Sequence, residues 1–144
     1  MLMACTVAHS FSIVTILPRV KPMLEDVVRL HGLEQRCASV RTTPLSVLDC
    51  ERDPAAAGRE IVAASRAAIE EDGAEAICLG CAGMGPLDKI VQAELGVPVL
   101  DGTACAVKLI EGILDYGLFT SRVAAYRAPE PKEYVNYPPP AGRR

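Results

Sequence analysis

No basic stretch runs through these 144 residues: 15 Lys and Arg are intermixed with 18 Asp and Glu, leaving a formal charge of -3. A protein that binds a phosphate backbone needs clustered cations, so nucleic acid is excluded as a partner. Long hydrophobic runs are missing too. The opening "MLMACTVAHSFSIV" has no basic leader segment, and the uncharged stretches are broken by His9 and Pro18, so neither secretion nor a membrane span is expected. Histidine is scarce: His9 and His31 lie far apart, with no ligand spacing to a cysteine pair, and no metal is expected. Finally, the chain lacks G-x-x-x-x-G-K-[ST], its "GCAGMG" fails the G-x-G-x-x-G order, and no G-x-S-x-G elbow occurs. Phosphate-loop, dinucleotide and serine-elbow chemistry are set aside.

What is present is half apolar by composition and long enough for one core. Apolar runs and helical patterns alternate. "FSIVTIL" at 11–17 precedes a helical pattern near 20–31, and "AEAICLGC" at 74–81 precedes a helix and then "VPVL" at 97–100. That βα rhythm predicts an α/β fold, a parallel sheet with helices on both faces, in which "SIVTIL" and "AICLG" are central strands. Punctuation places the helices. Asp53 and Pro54 cap one that buries Ile61, Ala64, Ala68 and Ile69 and closes at Gly73. Pro86 opens a second, with Leu87, Ile90 and Val91 on one side, ending at Gly96. A third after Asp101 is expected to bury Val107, Ile110, Ile113 and Leu114 and stop at Gly117. Between the early elements, "ASVRTT" and "SVLDC" read as extended pieces separated by Pro44. His31 suits a last-turn cation before Gly32, and His9 a loop. From Arg122 the chain turns proline-rich and aperiodic, an extended strap or disordered tail. "MLMACTVAH" reads as the end of a helix already under way, which predicts a preceding segment.

Six cysteines sit in apolar or helical contexts, which fits a reduced, cytoplasmic protein better than a disulfide framework. In an open α/β sheet, ligands bind at the carboxyl ends of the strands. "TILPR", "GCAGMGP" and "DGTA" all reach that edge. Cys81 falls between a buried strand and a helix start, where free backbone N–H groups favour a thiolate, and Gly80 and Gly83 open the backbone to a substrate oxygen. The alternative is a tight turn that merely holds a small residue. Strand alternation turns Cys78 to the other face as a core residue, away from any thioredoxin-like pairing with Cys81. Cys105, in the first turn after "LDGTA", is either a second reactive thiol or packing. Arg19 either holds an acidic group or covers the sheet edge.

The ordered segments "HSFSIVTILPRVKPMLEDVVRLHGL", "CASVRTTPLSVLD", "GAEAICLGCAGMGPL", "LGVPVLDGTACAVKLIEGIL" and "GLFTSR" resemble the aspartate/glutamate/hydantoin racemase superfamily, in its hydantoin and allantoin branch. The resemblance covers residues 1 to 122 and corresponds to the second part of the family chain. It implies a flavodoxin-like racemase lobe at 1–121 followed by a Pro-rich strap at 122–144. It also implies cofactor-independent chemistry, with one catalytic Cys from each of two pseudo-equivalent lobes, one thiolate taking the α-proton and the other thiol returning a proton to the opposite face. By this correspondence Cys81 is the second-lobe catalytic Cys, and Ala82 and Gly83 are backbone donors to the substrate carbonyl. Thr15, Ile16, Leu17, Pro18 and Arg19 line the substrate, with Ile16 replacing a family Thr. The first lobe and its Cys have no counterpart, so the chain alone is expected to be inactive. Its expected partners are a hydantoin or ureide substrate and further copies of itself.

Overall fold

The computed structural model describes residues 1–130, 133, 135 and 136. Contacts divide the chain into two units, Met1–Glu111 and Gly112–Arg144. In the first, a short helix α1 (Ala4–Val7) leads into β1 (Phe11–Ile16), α2 (Lys21–Leu30) and β2 (Cys37–Thr43). Then come α3 (Val47–Arg52), α4 (Pro54–Asp72), β3 (Ala76–Leu79), α5 (Asp88–Leu95) and β4 (Val99–Asp101). Helix α6 (Gly102–Asp115) runs into the second unit.

All strand pairs are parallel, in the order β2-β1-β3-β4. Six consecutive buried residues make β1 a central strand, as an unbroken apolar run predicts. The chain moves from β1 outward to β2, then crosses back to place β3 on the other side of β1. The strand order therefore reverses between β1 and β3, and their carboxyl ends form the crevice where α/β sheets take ligands. One face packs Val14, Ile16, Ile77 and Leu79 under α4 and α5, with Ile61 and Val91 fully buried. The opposite face packs Phe11, Ile13, Cys78 and Leu100 with Ala4 and Val28. The α/β parallel sheet with helices on both faces is thus the observed fold class.

Helix α4 starts where Asp53 accepts a hydrogen bond from Ala56 N at 2.9 Å and ends at left-handed Gly73. His31 follows α2 and donates from Nδ1 to the Val27 carbonyl at 2.9 Å, and His9 is exposed. Three expectations need correction. "SVLDC" is not extended: Ser46 accepts from Asp49 N while Asp49 accepts from Ser46 N, a reciprocal box that starts α3. Pro86 does not open the next helix but lies inside a 3-10 turn, Ala82–Leu87, that precedes α5; Leu87 and Val91, four apart, face inward and leave Ile90 outward at 60% exposure. Helix α6 buries nothing: Val107, Ile110, Ile113 and Leu114 are 38% to 66% exposed. Its apolar spacing reports amphipathicity, not burial, and it follows the edge strand β4, beyond which no further strand pairs among the described residues.

In the second unit, Gly117 adopts φ +78° and donates to the Leu114 carbonyl at 2.9 Å. The Arg122 guanidinium lies 5.4 Å from the centre of the Phe119 ring, and a 3-10 turn spans Ala124–Tyr126. Most of the expected Pro-rich strap beyond residue 130 lies outside the described residues. No described helix is long and apolar enough to cross a membrane.

Candidate functional site

The crevice begins at the end of β1. Thr15 and Ile16 are buried, at 1% and 3% exposure. Leu17 then takes φ 57° and ψ 98°, a conformation costly for a branched side chain, and so turns the chain abruptly off the sheet. Pro18 and Arg19 consequently stand exposed on the 3-10 turn Pro18–Val20.

Beside it, Gly80 N donates to the Val14 carbonyl at 2.8 Å, extending the β1–β3 contact past the end of β3. A Cβ at Gly80 would lie 2.8 Å from Thr15 Cβ and 3.0 Å from Ile13 Cγ2. The close approach of the two strand ends thus requires glycine. Cys81 comes next, half-buried and still extended at φ -140°, ψ 132°, and its carbonyl accepts from Met84 N at 3.0 Å. Fully buried Met84 anchors this turn to the sheet. Ala82 and Gly83 are exposed and open the turn, so their N–H groups have no acceptor within it. From β4, the Asp101 carboxylate accepts from Ala104 N at 2.7 Å and would lie 3.0 Å from a Cβ on Gly85, so it abuts the far end of the same turn. The three strand ends therefore meet at one edge.

Helix α3 borders the crevice from the side. A Cβ placed on Gly83 would be 3.8 Å from Cys81 Sγ and 3.9 Å from Val47 Cγ1, which puts the first turn of α3 next to the thiol. One turn on, Cys50 is buried in the same apolar cluster that Cys81 packs against. Burial, reinforced by neighbouring Cys81 and Asp49, pushes the Cys50 thiol upward, so it stays protonated. Neither α3 nor Cys50 was foreseen, although Ser46 and Asp49 in S-x-x-D spacing carried the signal for the helix.

Cys78 belongs to the other face. It packs with Phe11 and Leu100, and burial raises its thiol. Cys5, Cys37 and Cys105 pack against that same cluster, and burial carries Cys37 up to about 11. A cavity of about 710 Å³ runs along β3 and β4, with Gly80, Cys81, Ala82, Asp101, Thr103 and Cys105 among its lining residues. Thr15, Ile16, Leu17, Pro18 and Arg19 do not line it, although Thr15 abuts Gly80. Among the described residues, no cluster of three or more His, Cys, Asp or Glu side chains forms a metal site.

The sequence and the fold both have close counterparts. The Asp/Glu/Hydantoin racemase family matches residues 1–110. The chain is 50% identical over 133 residues to a hydantoin racemase of Pseudomonas sp. (strain NS671), covering 92% of this chain and 53% of that protein. A hydantoin racemase of Rhizobium meliloti is 46% identical over 129 residues, 90% of this chain and 54% of its own. The crystal structure of allantoin racemase from Pseudomonas fluorescens aligns with a TM-score of 0.81 at 45% identity, over 94% of this chain and 57% of that one. Allantoin racemase from Klebsiella pneumoniae aligns with a TM-score of 0.84 at 38% identity, over 94% and 55%. The chain spans about half the length of the curated relatives it matches. On this ground the chain belongs to the Asp/Glu/hydantoin racemase family of enzymes.

Proposed function

We propose that these residues supply one side of a cofactor-independent racemase centre for hydantoin-like or allantoin-like substrates, with Cys81 as its acid/base. The observation that carries this reading is the position of Cys81: half-buried at the reversal of strand order, followed at once by exposed Ala82 and Gly83, the first residues of a 3-10 turn. Removing a proton from the carbon beside a carbonyl places negative charge on the carbonyl oxygen. The N–H groups of Ala82 and Gly83 suit that charge, and being fixed by the turn they need no rearrangement to meet it. Of the segment Thr15 to Arg19, buried Thr15 and Ile16 back the crevice, while exposed Pro18 and Arg19 border it, with Arg19 available to a polar substituent of the substrate.

Inversion requires a second group on the opposite face of the substrate. Cys50 does not meet that need, because it is buried on the same side as Cys81. The opposing thiol is assigned to a second racemase lobe, and these 144 residues alone are expected not to turn over. The relatives named hydantoin racemase and allantoin racemase support the substrate class, and the free state of all six cysteines suits a reducing cytoplasm. The test is a chimera in which this chain replaces the matching segment of the Pseudomonas sp. (strain NS671) hydantoin racemase. Racemisation of 5-substituted hydantoins or of allantoin by the chimera, and none by the chain alone, is expected; a folded chimera inert toward both would overturn the reading.

Exposed apolar residues of α6 favour a second reading, a non-catalytic module that assembles with copies of itself. Val107 and Ile110, three apart on one face, stand uncovered at about half exposure, a pair that a partner surface would bury. Light scattering decides it: a defined oligomer disrupted by Ile110→Glu supports self-assembly, and a monomer across the working concentration range contradicts it.

A further inference from the structure

We propose that Cys50 is the resolving thiol for Cys81, so that hydroperoxide converts the site reversibly into a Cys50–Cys81 disulfide. This inference rests on the reading of Cys81 as a reactive thiol. It also rests on a distribution that strand alternation alone does not reveal. The six cysteines divide between the two faces of the sheet, with Cys5, Cys37, Cys78 and Cys105 on one and Cys50 and Cys81 on the other. Cys81 therefore packs against the cluster that buries Cys50, while its open side shares the edge cavity with Cys78 and Cys105, which are the competing thiols in the test below.

Two further observations bear on reach. Val47 Cγ1 and Cys81 Sγ lie within 3.9 Å and 3.8 Å of one point above Gly83, and Cys50 follows Val47 by three residues on the inward side of α3. Helix α3 is six residues long, so joining Cys50 to Cys81 requires the displacement of one short element only. The two thiols differ in exposure as a resolving pair requires. Cys81 is accessible to peroxide, whereas buried Cys50 is kept protonated and is protected from direct attack.

The chemistry balances in two steps. The Cys81 thiolate attacks one oxygen of the hydroperoxide, the O–O bond breaks, and Cys81 sulfenic acid forms with release of hydroxide or an alkoxide. Cys50 sulfur then attacks the sulfenic sulfur, the S–O bond breaks, and the departing hydroxyl takes the Cys50 proton and leaves as water. Sulfur is oxidised and peroxide is reduced. A dithiol restores both thiols by exchange.

The experiment treats the full chain with a small excess of hydrogen peroxide and maps thiols by alkylation and peptide mass spectrometry. Expected are a Cys50–Cys81 cross-linked peptide, the loss of two hydrogens in intact mass, and reversal by dithiothreitol. In Cys50→Ala the cross-link disappears and Cys81 sulfinic acid rises several-fold; Cys50→Val, which keeps the apolar volume, gives the same result if the alanine variant folds poorly. A disulfide joining Cys81 to another cysteine, or sulfinic acid at Cys81 unchanged by either substitution, overturns the proposal. Cys81 that resists both iodoacetamide and peroxide contradicts the acid/base reading itself, so the two failures are distinguishable.

Discussion

Substituting Gly80 with alanine tests how the crevice is built. The added Cβ would sit 2.8 Å from Thr15 Cβ, and reaching ordinary contact at 3.4 Å requires about 0.6 Å of separation. Thr15 Cβ is attached directly to its backbone and cannot swing aside, and Ile13 Cγ2 and Thr15 Oγ1 stand at 3.0 Å beside it. The strands themselves must therefore part, against the Gly80 N to Val14 O hydrogen bond of 2.8 Å. Overpacking of this kind costs about 1–3 kcal/mol, offset by about 0.4–1 kcal/mol of lost unfolded-state freedom. A net loss of about 1.3 kcal/mol is expected, which lowers Tm by about 3–5 °C for a chain of this length. Gly83→Ala is the matched comparison: its Cβ would meet nothing nearer than 3.8 Å, so stability should stay within about 0.5 kcal/mol of wild type. Urea and thermal unfolding of both variants provide the assay. Equal stability of Gly80→Ala and wild type, or equal losses in the two variants, would refute the close approach of the β1 and β3 ends.

Ser46→Ala removes the reciprocal cap of α3 and is expected to cost about 1 kcal/mol, read as faster amide exchange at 47–52; unchanged protection there contradicts the capping role. Arg41 makes a two-point contact with Asp72, at 2.6 and 2.9 Å, and lowers that carboxyl from its ordinary 3.8 to about 2. Because the folded value lies below the unfolded one, this stabilisation is present above about pH 4 and is lost as pH falls towards about 2. Arg41→Gln should therefore lower the urea midpoint at pH 6, and the gap from wild type should shrink towards pH 2.5; a gap independent of pH contradicts the pairing.

The legible parts of this fold are those where local chemistry and tertiary packing agree. "FSIVTIL" reads as a central strand because nothing polar interrupts it, and α4 is marked at both ends by Asp53–Pro54 and Gly73. Placing Cys81 and Cys78 on opposite faces needed nothing beyond strand alternation. Helix α3 was obscured because its β-branched and apolar "SVL" imitates a strand, whereas the information lay in the Ser46–Asp49 spacing. The start of α5 was misplaced because proline suits the first turn of an α-helix and also a 3-10 turn. Nothing local distinguishes an apolar helix face that is covered from one left exposed, which is why the burial of α6 could not be read. The proximity of Cys50 to Cys81 depends on how α3 lies across the crevice, a tertiary relation without a sequence period.

The central claim is that Cys81 exchanges a proton with the carbon beside a carbonyl. Its most direct test is solvent-deuterium incorporation into a 5-substituted hydantoin by the chimera, compared with its Cys81→Ser variant. The account predicts exchange by the chimera and a loss of about 10²–10⁴-fold in the serine variant, the range expected for removing a positioned acid/base. Deuterium incorporation that persists undiminished without the Cys81 thiol would contradict it.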